Sequence, residues 1–330
     1  METTAEVTLT GTNIIRVDSE GYKPVEIDLN DLDARESEKN TTAALIRGVA
    51  AAFARRGYKL SGFEAKVRST VLPGSGLSSS AAFEVLIGRI LNGLFAGGAV
   101  SAIEIAQIGQ YAENVYYGKP SGLMDQMASS VGNIITIDFA DPAHPDVEPV
   151  PVDFSKAGLA LCILDSCADH ADLTDEYAAV PAECRAVAAV CGGEVLRDVP
   201  FETFLAKLPE CRRQCGDRAV LRAIHYYEEN ARTLAQRRAL LEKRFADFAA
   251  LVLESGRASF ALCQNVYCAT DVRHQGLSVA LALSQSILQG SSGAWRMQGG
   301  GFAGTIQAFV PVHLLEAYRA AMDSVVGEGS

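Results

Sequence analysis

A glycine- and serine-rich stretch between a strand and a helix constrains the fold of this chain more than any other feature. It reads LPGSGLSSSAA, from Leu72 to Ala82. The sequence predicts a strand over 63–71 that runs directly into this stretch, and a helix over 79–94 that follows it. Two glycines allow the backbone to turn sharply, so that unpaired N–H groups and the positive end of the helix dipole point to one place. This arrangement predicts a polyphosphate-binding loop. An ordinary strand-to-helix turn with a serine cap is the alternative.

The loop matches neither of two common nucleotide-binding motifs. The GxxxxGK[ST] pattern is absent from it, and no third glycine stands at the spacing of the dinucleotide fingerprint. Its serine hydroxyls are suited to donate hydrogen bonds to phosphate or to bind Mg²⁺, which prefers hard oxygen atoms. The stretch therefore predicts a phosphate site of another kind.

The length and composition of the chain predict two domains. A chain of 330 residues with 48% hydrophobic content exceeds the usual size of a single domain and is able to bury a sizeable core. Pro142, Pro145, Pro149 and Pro151 mark the approach to a boundary. We expect an N-terminal domain over 1–155 and a C-terminal domain over 156–330, with an interface between them.

The order of the predicted elements favours an α+β fold over a doubly wound sheet, because strands and helices follow one another without a regular β-α alternation. Strands are predicted at 6–17, 23–29, 63–71, 133–139, 159–164, 294–298 and 305–310. Helices are predicted at 41–56, 79–94, 101–117, 122–129, 172–191, 217–253 with one break, 276–288 and 312–326.

Charge and cysteine usage exclude several classes of protein. A net charge of -11 repels a phosphate backbone, and no basic residues gather on one face, which excludes a nucleic-acid binder. Eight cysteines without a CxxC pair predict reduced thiols that serve as small core residues. No apolar run reaches the roughly 18 residues that span a bilayer, and the first residues show no signal-peptide pattern. We expect a cytoplasmic protein that binds neither nucleic acid nor a membrane.

Three motifs, in the same order, resemble those of the galactokinase family of GHMP kinases. PGSGLSSSAA, from Pro73 to Ala82, resembles the ATP-binding motif of kinases that include galactokinase, homoserine kinase, mevalonate kinase and phosphomevalonate kinase. GKPSGLMDQ, from Gly118 to Gln126, resembles the galactokinase segment that carries the catalytic aspartate. MQGGGFAG, from Met297 to Gly304, resembles the C-terminal glycine loop of the family. The resemblance implies a ribosomal-S5-like α+β domain, a ferredoxin-like C-terminal domain and an active site in the cleft between them.

The resemblance also implies an activity and the residues that support it. The activity is transfer of a phosphoryl group from ATP to the anomeric hydroxyl of galactose, with Mg²⁺. Asp125 is implied as the catalytic residue that orients this hydroxyl or accepts its proton, and Ser80 and Glu113 as metal ligands, with Ser79 as the alternative to Ser80. The implied ATP-binding residues are Pro73, Gly74, Ser75, Gly76, Leu77, Ser78, Ser79, Ser80 and Ala81. The implied substrate-binding residues are Gly122, Asp125, Tyr177, Gly300 and Gly301.

Each of the main site residues also has a purely structural interpretation. Asp125 fits a position at a helix N-terminus that is stabilised by the dipole, and Glu113 fits a surface glutamate. Tyr177 fits an amphipathic helix position that packs on the core. Gly300 and Gly301 fit a glycine-rich hairpin turn. As substrate residues, these two glycines let the backbone approach the ligand where a Cβ would block it.

One motif of the family has no counterpart in the first sixty residues. Galactokinases of this kind begin with a segment that resembles GRxNxxGxHxD and supplies an arginine near the transferring phosphate. The stretch from Gly11 to Arg16 resembles it only in part, so by the order of the family we expect this motif upstream of Met1. An arginine on the phosphoryl group contributes several powers of ten in rate, which makes its absence important.

The sequence therefore leaves several functions open beside a galactokinase. They are a kinase for another sugar such as N-acetylgalactosamine, a non-catalytic galactose and ATP sensor, and an inactive truncated fragment. In the leading interpretation, the chain is a monomer whose partners are the small molecules ATP and galactose.

Overall fold

The computed structural model describes residues 1–71, 77–166 and 173–327, which form two compact units. The first unit comprises Met1–Ile137 and Val147–Pro149, and the second comprises Asp138–Asp146 and Val150–Ser330. Each unit contains both helices and strands, which confirms the α+β fold class. Within the part of the chain that the structure describes, no helix combines the length and apolar character needed to cross a membrane.

The first unit contains a mixed four-stranded sheet and the helices that pack on it. Its strands are β1 (Thr3–Leu9), β2 (Ile14–Ser19), β3 (Val25–Asp28) and β4 (Phe63–Ser69), and their order is β1-β4-β2-β3. β4 pairs antiparallel with β1 and parallel with β2, whereas β2 pairs antiparallel with β3. A separate two-stranded sheet contains β5 (Ile134–Asp138) and β6 (Asp146–Val150).

The prediction of a single strand over 6–17 is wrong, because the chain turns between β1 and β2. Gly11 adopts a positive φ of 70° at this turn. The alternation stops at this turn, because no apolar residue occurs from Thr10 to Asn13 and Ile14 and Ile15 are adjacent. Glycine and asparagine are typical of turns, so the sequence did carry a sign of the break. The two halves lie on opposite sides of β4 in the sheet.

The helices of the first unit begin close to the predicted positions. They are α1 (Thr42–Arg55), α2 (Ser79–Phe95), α3 (Ala102–Tyr111) and α4 (Met124–Val131), and α3 continues into a π-helical segment, Ala112–Tyr117. The Thr41 side chain accepts a hydrogen bond from the N–H of Ala44, which caps α1. Ser101 and Glu104 form a reciprocal capping box that fixes the start of α3.

The core of the first unit lies between the sheet and these helices. Phe63 on β4, Phe53 on α1 and Leu91 on α2 are fully buried in it. α1 also lies against the π-helical segment, since a Cβ at Gly48 would lie 2.8 Å from the Cβ of Ala112. This close packing fixes the position of the segment that carries Glu113.

The second unit contains an antiparallel sheet and six helices within the described residues. Its strands are β7 (Leu159–Asp165), β8 (Ala294–Met297) and β9 (Thr305–Pro311), in the order β7-β9-β8. Its helices are α5 (Thr174–Cys191), α6 (Phe201–Cys215), α7 (Asp217–Leu241), α8 (Phe245–Ala258), α9 (Gly276–Leu288) and α10 (Leu315–Val326). The predicted break in 217–253 falls between α7 and α8, where Lys243 has a φ of 57°.

Candidate active site

The start of α2 carries the described part of the serine run. Ser78 precedes the helix with φ 57° and ψ 60°, in the left-handed region that residues other than glycine rarely adopt. Ser79 and Ser80 form the first turn of α2 and are half-buried, and Ala81 is fully buried. Backbone outliers of this kind cluster at ligand-binding sites, so the conformation of Ser78 supports a binding role for this helix start.

Of the remaining residues predicted to bind ATP, one lies within the described residues and four lie outside them. Leu77 lies within the described residues and is half-buried. The predictions for Pro73, Gly74, Ser75 and Gly76 fall on residues outside the described ranges, and they stay predictions.

Glu113 lies in the π-helical segment and points to the start of α2. Its side chain is buried, and the Ser80 hydroxyl donates a hydrogen bond of 3.1 Å to Glu113 Oε1. Lys119 Nζ lies 3.6 Å from the same oxygen. π-helical turns are frequent at functional sites. The interpretation of Glu113 as a surface glutamate is therefore wrong, and the two residues predicted as metal ligands are in direct contact.

Two buried polar side chains that the sequence did not single out complete this group. Gln126 Nε2 donates to Glu113 Oε2 at 2.7 Å and to Glu84 Oε2 at 3.1 Å. Gln126 stands in the MDQ part of the second motif, on α4. Glu84 lies four residues after Ser80, so Glu84 and Ser80 share one face of α2. That helical spacing is the signal from which Glu84 could have been found.

The carboxyl group of Glu84 is in an unusual state for a glutamate. Burial, with a further contribution from the charge of Glu113, raises the pKa of Glu84 from 4.5 to about 9, and Asp125 acts in the same direction. At neutral pH Glu84 therefore carries its proton.

Asp125 lies in the first turn of α4 and is exposed. Among the described residues, its carboxylate has no hydrogen-bond or salt-bridge partner, which leaves its oxygens available to a ligand. Its neighbour Gln126 points into the buried group described above. Gly122 is exposed, and a Cβ there would meet no atom within 4 Å, so the described structure shows no close approach that requires a glycine.

The donor set beside α2 fits Mg²⁺. Mg²⁺ takes one or two protein oxygen ligands and fills its other positions with water and phosphate oxygens, and Ser80 Oγ and Glu113 Oε1 supply two such oxygens. The described residues contain no group of three or more His, Cys, Asp or Glu side chains that could hold a metal ion.

The second unit brings three predicted substrate residues together. The Tyr177 hydroxyl donates a hydrogen bond of 2.6 Å to the carbonyl oxygen of Gly301, and its ring lies edge-on to Phe302 with centroids 5.4 Å apart. A Cβ at Gly300 would lie 2.7 Å from Tyr177 Cε1. Tyr177 thus packs directly against the glycine loop.

Asn265 holds this glycine loop from the other side and was not anticipated from the sequence. The side-chain Nδ2 of Asn265 donates to the backbone carbonyl oxygen of Gly300 at 3.0 Å. The backbone carbonyl oxygen of Asn265 accepts from Phe302 N at 2.5 Å. A Cβ at Gly301 would lie 1.9 Å from that carbonyl oxygen, and φ is 88° there. Glycine is therefore required at position 301 by the loop itself, whatever ligand the loop binds.

A cavity of about 330 Å³ lies elsewhere in the second unit, among α8, α9 and β8. It is lined by Leu253, Gly256, Arg257, Phe260, Ser278, Leu281, Ala282, Gln285, Leu288, Gln289, Gly290, Ser291, Gly293 and Trp295. Among the described residues, none of those predicted for the site lines it. The polar side chains that converge near α2 are the stronger candidate site, because catalysis depends on the chemical groups present and not on the cavity volume alone.

Comparison with known proteins identifies a consistent set of relatives. The family profile "GHMP kinases N terminal domain" matches residues 44–133. The galactokinase of Streptomyces coelicolor is 33% identical over 303 residues, which cover 91% of this chain and 74% of the relative. The galactokinase of Mycobacterium tuberculosis is 34% identical over 288 residues, which cover 85% of this chain and 73% of the relative.

Solved structures agree on the fold. The crystal structure of Lactococcus lactis galactokinase complexed with galactose matches with a TM-score of 0.80 at 24% identity, covering 99% of this chain and 82% of that one. The mevalonate kinase of Methanococcus jannaschii matches with a TM-score of 0.63 at 13% identity, covering 98% of this chain and 85% of that one.

Proposed function

Since the chain belongs to the galactokinase family, we propose that it transfers the γ-phosphoryl group of ATP to the anomeric hydroxyl of galactose. The products are galactose 1-phosphate and ADP, and the hydroxyl proton is released. The observation that carries the proposal is the hydrogen bond between Ser80 and Glu113, which Gln126 extends to the segment that carries Asp125. Two of the three sequence motifs thus meet in one cluster of side chains.

Phosphoryl transfer requires that the hydroxyl lies in line with the γ-phosphate, that the phosphate charge is neutralised and that water is excluded. Asp125 orients the anomeric hydroxyl and accepts its proton as the new P–O bond forms. Its exposed carboxylate has the freedom that this role requires. The N–H groups at the start of α2, with the described serines, bind the phosphates.

Ser80 and Glu113 would hold Mg²⁺, which would supply positive charge to neutralise the bound polyphosphate. Lys119, 3.6 Å from Glu113 Oε1, adds a further positive charge on this side. Tyr177 and the glycine loop of Gly300 and Gly301 belong to the sugar-binding part of the proposal. The tight packing of this loop by Tyr177 and Asn265 gives it a fixed shape. The cytoplasmic location and the monomeric state predicted from the sequence complete the proposal.

The proposal is tested by measuring ADP release from MgATP with purified chain and a panel of galactose, N-acetylgalactosamine and glucose. We expect release with galactose and little or none with the other two sugars. Release with N-acetylgalactosamine alone would keep the kinase and replace its substrate. A folded chain that binds ATP and galactose without ADP release would contradict the proposed reaction and favour a sensor.

A further inference from the structure

Three polar side chains from three helical segments meet inside the first unit. Glu84 comes from α2, Glu113 from the π-helical segment and Gln126 from α4, and all three are almost fully buried, at 0%, 2% and 1% exposure. Gly109 on α3 makes room for them, because a Cβ there would lie 3.2 Å from both Glu84 Oε2 and Gln126 Cγ. The small residue at position 109 therefore leaves space for this polar group beside α3.

The Gln126 amide connects the two carboxyl groups. A primary amide has two N–H donors, and Gln126 Nε2 uses them on Glu113 Oε2 at 2.7 Å and Glu84 Oε2 at 3.1 Å. Without the acceptor at Glu84, one buried N–H would lose its partner, and the amide would be free to turn away from Glu113. An unsatisfied buried donor is costly, so the three side chains hold one another in place.

The electrostatics of the group agree with this arrangement. Because burial and the neighbouring charge raise the pKa of Glu84 to about 9, Glu84 is neutral near pH 7 and adds no second negative charge beside Glu113. Glu113 is then fixed on both sides, through Oε2 by Gln126 and through Oε1 by the Ser80 hydroxyl.

We propose that Glu84 is a positioning residue for the metal-nucleotide site, acting through Gln126 to hold the Glu113 carboxylate toward Ser80. This bridge, the Gln126 amide between Glu84 and Glu113, also connects α2 to α4, where Asp125 lies. Outer partners that orient ligand side chains commonly contribute 10- to 100-fold to metal affinity or activity. This inference rests on the proposed function for its role in phosphoryl transfer, but the geometry concerns nucleotide binding and not the identity of the sugar.

A purely structural role is the competing explanation, and α2 offers a matched control. Asn92 is also a buried polar residue of α2, at 6% exposure. Its side chain exchanges two hydrogen bonds with the backbone of Val100, at 2.8 Å and 3.0 Å, away from Ser80 and Glu113. The variant Asn92→Leu therefore removes buried polar contacts from the same helix without touching the bridge.

The experiment compares the dissociation constant of the non-hydrolysed analogue AMPPNP with and without Mg²⁺, together with kcat, in Glu84→Gln, Glu84→Met, Gln126→Met and Asn92→Leu. We expect Glu84→Met and Gln126→Met to weaken binding in the presence of Mg²⁺ by about 10-fold and to leave metal-free binding nearly unchanged. Glu84→Gln keeps a neutral acceptor for the amide and should stay within about threefold of wild type. Asn92→Leu should melt at a lower temperature with unchanged Mg²⁺ dependence.

The double variant Glu84→Met, Gln126→Met keeps the test decisive if one single variant folds poorly. Residues that act as one unit give non-additive effects, so the double variant should bind no worse than Gln126→Met alone. Equal behaviour of Glu84→Met and Asn92→Leu would overturn the proposal, and so would a defect in Glu84→Gln as large as that in Glu84→Met. A wild-type chain without sugar-dependent turnover would contradict the proposed function, whereas the binding measurements would still decide the role of Glu84.

Discussion

Three carboxyl groups in the first unit, those of Glu84, Glu113 and Asp125, have different surroundings. Asp125 is exposed, Glu113 is buried against a serine and a lysine, and Glu84 is buried beside the Gln126 amide. Pairs of carboxyl groups whose environments separate their pKa values are typical of active sites, because each group then has its own role. In the proposed mechanism, Asp125 accepts the proton, Glu113 binds the metal, and the neutral Glu84 holds Glu113 in position.

The role of Asp125 predicts a large kinetic effect from a small change. Asp125→Asn keeps the size and removes proton acceptance, so kcat should fall by about 10²- to 10⁴-fold. If Asp125 only stabilised the helix dipole, the change would cost about 0.3–1 kcal/mol of stability and leave kcat unchanged. Glu316→Gln is the control, because Glu316 is an acidic residue in the first turn of α10. Similar kcat values for the two variants would contradict the catalytic assignment.

The raised pKa of Glu84 predicts a pH dependence of stability. A carboxyl group with a folded-state pKa near 9 binds its proton more tightly in the native state than in the unfolded state, where the pKa is 4.5. Its stabilising contribution is complete below pH 4.5 and is lost as the pH rises to about 9, at about 1.4 kcal/mol per pH unit. Glu84→Gln should remove this slope, so its free energy of unfolding in urea should change less between pH 6 and pH 8. Equal slopes in both proteins would show that Glu84 is charged at neutral pH.

For individual residues, the family resemblance predicted Ser80 and Glu113 but not the side chains that contact them. The resemblance predicted that both are metal ligands, and the structure adds that the Ser80 hydroxyl donates a hydrogen bond to Glu113. Asn265 was missed because its contacts come from tertiary packing, which a single sequence does not display. Glu84 was missed although its helical spacing from Ser80 places both residues on one face of α2. The substrate role of Gly122 stays a prediction without a local contact to support it.

At the scale of elements, the position of Glu113 depends on how closely α1 approaches the π-helical segment. Gly48 permits this approach, because any Cβ would lie 2.8 Å from the Cβ of Ala112. Gly93 on α2 is the opposite case, since a Cβ there would meet no atom within 4 Å.

The two glycines should therefore respond in opposite directions to alanine. Gly48→Ala overpacks the contact and should cost about 1–3 kcal/mol of unfolding free energy, with a lower kcat because Glu113 moves. Gly93→Ala should gain about 0.5–1 kcal/mol, because alanine is the better helix residue, with kcat unchanged. Urea denaturation and steady-state kinetics measure both effects. If Gly48→Ala changed neither the unfolding free energy nor kcat, the π-helical segment would be able to shift at little cost, and the contact would not fix the position of Glu113.

The glycine loop of the second unit gives a second matched pair. Gly299 and Gly301 both have positive φ, at 71° and 88°, but only a Cβ at Gly301 would meet the Asn265 carbonyl oxygen, at 1.9 Å. Gly299→Ala should lower stability by about 1–2 kcal/mol through backbone strain alone. Gly301→Ala should lower it further and raise the KM for galactose, because the loop must move away from Asn265. Equal KM values in both variants would place the sugar away from this loop.

Periodicity located most helices, and its failures have physical reasons. α9 begins and ends where the sequence predicted, because its apolar face is continuous and its ends carry no conflicting signal. α6 was missed because Pro209 lies inside it and Pro200 precedes it, and proline normally ends a helix. β6 was missed for a similar reason, since Pro149 lies within it and was taken as part of a boundary segment.

At the scale of the whole molecule, the family assignment rests on similarity that covers about nine-tenths of the chain, 91% with the Streptomyces coelicolor relative. The fold is shared more widely than the chemistry, since mevalonate kinase has the same fold at 13% identity. Function therefore has to be argued from the side chains of the site and not from the fold alone. In the proposed site those side chains are Ser80, Glu113 and Asp125.

Identification of the product tests this account most directly. Purified chain is incubated with MgATP and galactose, and the product is examined by phosphorus-31 NMR. We predict one new phosphate monoester signal, split by the anomeric proton, that appears at the same rate as ADP and is greatly slowed in Asp125→Asn. A phosphate on another hydroxyl, or ADP formation by folded chain without any sugar phosphate, would contradict the account.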